Sequence, residues 1–226
     1  MTTLTQVQAS LSSELAAMLP PGVYFDEIWV EAGGAEALLP LFAEEEPTVA
    51  RAVEKRQREF RAGRHVARRA IQHAGGPLVA IPRGPLGEPG FPPGFNGSIT
   101  HTGRARTYAA AVVTREPWFL GLDAEWQEEL SPDLTRRIAT PDELALAQRT
   151  SREPGLLVFA AKEAVYKCVF PMCRRVLGFE EVRLERALGD RLEFHVPALD
   201  SGPEIEVRWL RAAGMTVCLA RLSAGF

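Results

Sequence analysis

Residues 115–126 read Arg-Glu-Pro-Trp-Phe-Leu-Gly-Leu-Asp-Ala-Glu-Trp. Pro117 has no amide proton and steers Glu116 away from helical angles, so the chain breaks there. The apolar run that follows reads as a strand over Trp118–Glu125. Alternate strand side chains share a face, which puts Asp123 and Glu125 on one side and Leu122 and Ala124 on the other. Two carboxylates side by side, just after a buried strand start, repel each other, and a divalent cation removes that cost. An oxygen-only pair with no His or Cys nearby favours magnesium or manganese over zinc. The plainer alternative is a strand end reaching solvent, where acids are common.

Upstream of this break, Ser98–His101 and Thr107–Thr114 read as two short strands. Residues 81–97, dense in Gly and Pro, read as a long loop before them. Further back, Pro47 opens a helical pattern that runs to Ala74 and stops at Gly75-Gly76-Pro77. Downstream, Ser131 and Thr140 each precede a proline and read as N-caps of two helices. A third helix starts at about Pro154. The tail reads as four strands, in EEVRLER, RLEFHVP, EIEVRWL and MTVCLARL. Each half is helical material followed by antiparallel strands, so the expected fold class is α+β. The expected division is residues 1–116 and 117–226, as two halves of one structural unit.

Composition narrows the classes of function. The chain has 226 residues, 46% hydrophobic and 24% charged, ordinary for a soluble globular protein. A net charge of −3 gives no electrostatic case for nucleic acid. No run approaches the roughly 18 apolar residues of a membrane span. The first residues, MTTLTQVQASLSSELAAML, lack a basic segment followed by an apolar one and read as a helix, not a signal peptide. Three cysteines without a CxxC pair suggest neither a disulfide framework nor a zinc site. A cytoplasmic protein with reduced thiols is expected.

Charge sits on an apolar face in two further places. In EKRQREFRAGRHVARRAI, a helical projection from Val53 clusters Val53, Phe60, Ala67 and Ile71. Arg64 falls inside that stripe and Arg56 on its edge, while Arg51, Lys55, Arg58 and Arg69 fall opposite, on a solvated face. Either the misplaced arginines snorkel or pair with local acids, or they hold an anion whose oxygens match the guanidinium fork. Eight basic residues between Arg51 and Arg69 supply the background field. In FAAKEAVYK (159–167), Phe159, Glu163, Tyr166 and Phe170 share a stripe, with Lys162 on its flank. Glu163 and Lys167 can pair at i,i+4, which would suffice on an exposed face. On a packed face the charges need partners, and a metal and a phosphate would supply them. His65, His73, His101 and His195 are isolated. No HExxH, GxGxxG, GxxxxGK[ST] or GxSxG pattern is present.

Taken in order, KRxxEFxxGRxxAR, GEP, GSITH, GLDAE and FAAKEAVYK resemble the 4′-phosphopantetheinyl transferases, in particular the monomeric bacterial type similar to the enterobactin-synthetase and actinobacterial enzymes. The family's GxDxE strand stands here as Gly121–Glu125 and its (W/F)xxKExxxK helix as Phe159–Lys167. The match spans about Arg51 to Phe179. The resemblance implies two pseudo-symmetric halves, each with helices packed on a small antiparallel sheet, and an active site in the cleft between them. It implies magnesium-dependent transfer of the 4′-phosphopantetheine of coenzyme A to a serine of an apo acyl, peptidyl or aryl carrier protein, releasing adenosine 3′,5′-bisphosphate. Polyketide or nonribosomal peptide synthases, including siderophore pathways, are the implied beneficiaries.

The implied metal ligands are Asp123, Glu125 and Glu163, for Mg²⁺ with Mn²⁺ as the alternative. The implied catalytic residues are Glu163, Lys167 and Asp123, with Glu163 acting as ligand and, directly or through water, as the base. Coenzyme A, the co-substrate, is expected to meet Arg56, Arg64, Ser98, Thr100, His101, Glu88, Lys162 and Lys167. Where relatives carry a lysine just before the GEP element, this chain has Leu86, with Arg83 close by in sequence. A monomer is expected, docking its carrier through Val169–Val176. The competing readings are an inactive carrier-binding relative and another magnesium-dependent nucleotide or phosphate transferase.

Overall fold

The computed structural model describes residues 4–31, 39–103, 106–199 and 204–223. In chain order the elements are α1 (Leu4–Met18), β1 (Val23–Glu31), α2 (Glu54–His73), β2 (Asn96–Gly103), β3 (Arg106–Thr114) and β4 (Trp118–Trp126). There follow α3 (Pro132–Ile138), α4 (Pro141–Ala147), α5 (Pro154–Cys173), β5 (Arg183–Leu188), β6 (Arg191–His195), β7 (Ile205–Ala212) and β8 (Met215–Ser223). The class is α+β, with one three-stranded and one five-stranded antiparallel sheet. The chain divides into two units, Pro20–Trp118 and Met1–Leu19 with Phe119–Phe226. The boundary between the units falls between Trp118 and Phe119, and the first nineteen residues group with the later unit.

In the unit Pro20–Trp118 the strand order is β1-β3-β2. Helix α2 lays Ala62, Val66, Ala67, Ala70 and Ile71 on Ala109, Ala111 and Val113 of β3. Small residues on both sides let helix and sheet approach closely. Strand β1 is not foreseen in the sequence reading, yet it pairs with β3 along its whole length. Adjacent Asp26 and Glu27 blur its alternation.

Helix α2 begins at Glu54 rather than at Pro47. Glu46–Thr48 forms a separate 3₁₀ turn, and extended Val53 is the N-cap of α2. The reason is Glu45, whose fully buried carboxylate accepts from Arg68 at 2.7 Å and from the amides of Phe42 (3.0 Å) and Ile81 (2.7 Å). Those bonds hold residues 42–48 across α2 instead of letting them extend it.

In the other unit the strand order is β4-β8-β7-β6-β5. Helix α5 covers one face, packing Leu157, Ala161, Ala164, Val165 and Cys168 with Phe194, Val207, Cys218 and Ala220. Helix α1 packs on β7, where Arg208 donates to the Met18 carbonyl from the face opposite Val207. Both short-helix caps form as expected. Ser131 Oγ accepts from the Leu134 amide, and Thr140 with Glu143 makes a reciprocal capping box. Among the described residues no helix is long and apolar enough to cross a membrane.

Candidate active site

Gly121 positions everything that follows on β4. A Cβ there would lie 1.8 Å from the Ala164 carbonyl oxygen and 2.7 Å from the Cys168 amide nitrogen of α5. Only glycine allows this strand backbone to touch the helix backbone. Cys168 Sγ adds a contact to the Phe119 carbonyl at 3.2 Å. By strand alternation Asp123 and Glu125 share the face of Gly121, so both are turned to the α5 side.

Asp123 is 4% exposed, and Lys167 Nζ lies 2.6 Å from its Oδ1. The same ammonium donates to the Leu122 carbonyl at 3.0 Å. Glu163, one turn before Lys167, is half-buried. Burial, and next the charge of Asp123, push its carboxyl above the usual range, against the pull of Lys167. The structure thus brings Asp123, Glu163 and Lys167 together. Glu125, further along the strand, is half-buried. Among the described residues no three acids, histidines or cysteines gather as a ready metal site. The donor chemistry still fits a hard divalent cation. Two acids whose charges oppose each other offer only oxygen, and Lys167 already meets part of the demand for positive charge.

Lys162 is placed elsewhere than expected. It is 2% exposed, and its three protons go to Glu143 Oε1 (2.8 Å), the Ile138 carbonyl (2.9 Å) and the Phe179 carbonyl (2.9 Å). No proton is left for a phosphate, so the assignment of Lys162 to coenzyme A is corrected. Its flank position on the stripe turns it toward α3 and α4, away from β4. The segment Val169–Val176 is also revised in part. Phe170 is 8% exposed and edge-on to Tyr166 at 5.7 Å, while Val176 is 77% exposed.

A second cluster lies in the unit Pro20–Trp118. Arg56 Nη1 is 3.2 Å from His101 Nε2, and the other ring nitrogen faces Glu59 at 3.8 Å. Arg64 is 7% exposed. Its Nε donates to the Ile81 carbonyl at 2.7 Å, and its guanidinium lies over the Phe60 ring. Burial first, with the like charges of Arg56, Arg68 and Arg83 adding, lowers its pKa to about 10, so it stays charged at neutral pH. Cations held near one another at a cost to one of them are what an anion site requires. Arg83 belongs to this field. Its side chain lies along Gly87 in the Arg83–Pro89 turn, where Gly87 takes φ +103°. Glu88 folds back on that turn and accepts from the Leu86 amide at 3.0 Å, which leaves the Leu86 side chain exposed.

Ser98 and Thr100 do not join His101. They are buried on the opposite face of β2, paired with Val112 and Ala110, while Ile99 and His101 meet α2. Arg58 also departs from expectation. It is buried, with Nε on Thr107 Oγ1 at 2.9 Å, and is not on a solvated face. Arg61 and Arg68 pair with Glu46 and Glu45, which sequence periodicity alone had no means to show.

Comparison with known proteins agrees with this arrangement. The family model described as the 4′-phosphopantetheinyl transferase N-terminal domain matches residues 44–114. That of the 4′-phosphopantetheinyl transferase superfamily matches residues 119–218. The 4′-phosphopantetheinyl transferase PptT of Mycobacterium tuberculosis is 38% identical over 177 residues, covering 75% of this chain and 76% of the relative. Svp of Streptomyces mobaraensis, of the same description, is 32% identical over 225 residues, 93% of this chain and 89% of the relative. Enterobactin synthase component D of Escherichia coli is 36% identical over 117 residues, 50% of this chain and 54% of the relative. The chain belongs to the 4′-phosphopantetheinyl transferase superfamily and is an enzyme of that class.

Proposed function

We propose that this protein transfers the 4′-phosphopantetheine of coenzyme A to a serine of an apo carrier protein, with Mg²⁺ as cofactor. The serine oxygen bonds to the phosphorus that bears the pantetheine arm. The bond from that phosphorus to adenosine 3′,5′-bisphosphate breaks, and the serine proton leaves to a base. The observation that carries this reading is the grouping of Asp123, Lys167 and a Glu163 carboxyl that burial and a neighbouring acid make unusually basic.

Glu163 is suited to take the serine proton, because a carboxylate destabilised by its surroundings accepts one more readily. Lys167 sets a positive charge beside Asp123 and within reach of an anion. Arg56, Arg64, Arg83 and His101 would hold coenzyme A phosphates, with Arg83 supplying the cation that Leu86 does not. Asp123, Glu125 and Glu163 would hold the magnesium ion, which when bound supplies charge stabilisation to the pyrophosphate. The resemblance to enterobactin synthase component D supports carriers of peptide or siderophore assembly. The extension to polyketide and nonribosomal peptide carriers rests on the motif resemblance, while Svp and PptT support phosphopantetheinyl transfer itself.

The test is to incubate the protein with coenzyme A, Mg²⁺ and several apo carrier domains and to weigh each carrier by mass spectrometry. One phosphopantetheine adduct on a carrier serine is expected. Carriers of unchanged mass throughout, with folded protein, would overturn the proposal.

A further inference from the structure

Lys162 and Glu163 are neighbours on α5 and point about 100° apart. Glu163 is coupled to Asp123, while Lys162 faces α3 and α4. The partner of Lys162 is itself fully engaged. Glu143 is 6% exposed, its Oε2 accepts from the Thr140 amide at 2.8 Å, and its Oε1 accepts from the Leu184 amide at 3.0 Å as well as from Lys162. One buried ion pair therefore ties the middle of α5 to the end of α3, the start of α4, the turn at Phe179 and the start of β5. A buried pair with this many partners resists rotation, because turning the helix strips bonds from two desolvated charges at once. A side chain about 5–6 Å from the helix axis moves by about 2 Å when the helix turns by about 20°.

We propose that Lys162 and Glu143 form a positioning pair that fixes the rotation of α5 and so aims Glu163 at Asp123, without either member touching substrate. This rests on the transferase reading above and gives the first lysine of the KExxxK helix a role distinct from phosphate binding. The expected signature is a loss of turnover without loss of coenzyme A affinity. A displacement of about 1 Å at a reacting group costs on the order of 100-fold in rate.

The test compares wild type, Lys162→Met, Glu143→Gln and the double variant, each first shown to be folded by circular dichroism. Lys162→Met should lower kcat about 10- to 100-fold while the coenzyme A KM and the Kd from calorimetry stay within about twofold. Glu143→Gln removes the charge and leaves one acceptor oxygen for the Thr140 amide or for Lys162 and the Leu184 amide, not both, and should lower kcat in the same direction. The double variant, which leaves no unpaired buried charge, should lose no more than the worse single variant. A crystal structure of Glu143→Gln should show the Glu163 carboxylate displaced, and this readout stands even if Lys162→Met does not fold. A large rise in coenzyme A KM with kcat retained would make Lys162 a phosphate ligand and overturn the proposal. Normal kcat with reduced stability, or an unmoved Glu163, would reduce the pair to a structural tie and overturn it too. If wild type transfers nothing to any carrier, the transferase reading fails, and the Glu163 displacement still decides the positioning role.

Discussion

Replacing Gly121 with alanine adds a single methyl group at the contact of β4 with α5. The new carbon would start 1.8 Å from the Ala164 oxygen, with Cys168 N at 2.7 Å and the Ala164 carbonyl carbon at 2.8 Å. All three obstacles are backbone, so no side chain can turn aside. A tolerable carbon–oxygen contact is about 3.3 Å, so strand and helix must part by roughly 1.5 Å (3.3 − 1.8). Overpacking of this kind costs about 1–3 kcal/mol, and with rigid obstacles the upper end applies, about 3 kcal/mol. The same shift is larger than the 2.6 Å contact between Lys167 and Asp123 can absorb, so turnover should fall on the order of 100-fold. Urea denaturation and carrier-modification kinetics measure the two effects separately. Gly155→Ala is the control. Its methyl would meet the Thr135 side chain at 3.2 Å and no backbone atom among its nearest neighbours, so it should shift stability by less than about 1 kcal/mol. A Gly121→Ala protein within about 0.5 kcal/mol of wild type and fully active would refute the reasoning. Lost stability with full turnover would show that this contact holds the fold but not the site.

Three further outcomes are expected. Glu163→Gln should lower kcat at least about 100-fold if its carboxylate binds the metal or takes the proton, and near-wild-type turnover would exclude both roles. Arg64→Ala should raise the coenzyme A KM about tenfold, whereas an unchanged KM with lost stability would reduce Arg64 to its contacts with Ile81 and Phe60. Arg175 hydrogen-bonds Glu181 and holds its carboxyl down at about 2, so the pair's contribution is present above the ordinary carboxyl value of 4.5 and fades as pH falls from there toward about 2. Arg175→Ala should therefore lose a small, salt-sensitive stability at neutral pH and none at pH near 2, and a deficit that grows in acid would contradict this.

What the chain declares in advance is what lies in local chemistry. Ser131 and Thr140 announce their helices because a cap, a following proline and, for Thr140, a glutamate three places on act within one turn. The shared face of Asp123 and Glu125 follows from strand geometry, and the burial of Arg64 from its place within the apolar stripe of α2. Partners distant in sequence were not legible. Lys162 looks like a phosphate cation until Glu143, nineteen residues upstream, takes its charge. Arg58 falls on the solvated side of the projection until Thr107 accepts its Nε proton, and the contact of Arg68 with Glu45 explains why Pro47 starts only a short turn. A signal for part of this was available. A glycine in the middle of an apolar strand announces a close backbone approach, and Gly121 marks where β4 meets α5.

The grouping of α1 with the later unit has a consequence for how the chain comes to be assembled. Pro20–Trp118 is one continuous segment, whereas its companion unit is made of both ends of the chain. Met18 and the Arg208 that bonds its carbonyl are 190 residues apart. On the ribosome, Leu11 and Leu15, both fully buried in the folded structure, have no β7 to pack against until the unit Pro20–Trp118 and the chain as far as Ile205–Ala212 have been made. Helix α1 therefore reaches its place only after the intervening unit Pro20–Trp118 has been made, and until then its apolar face waits in solvent.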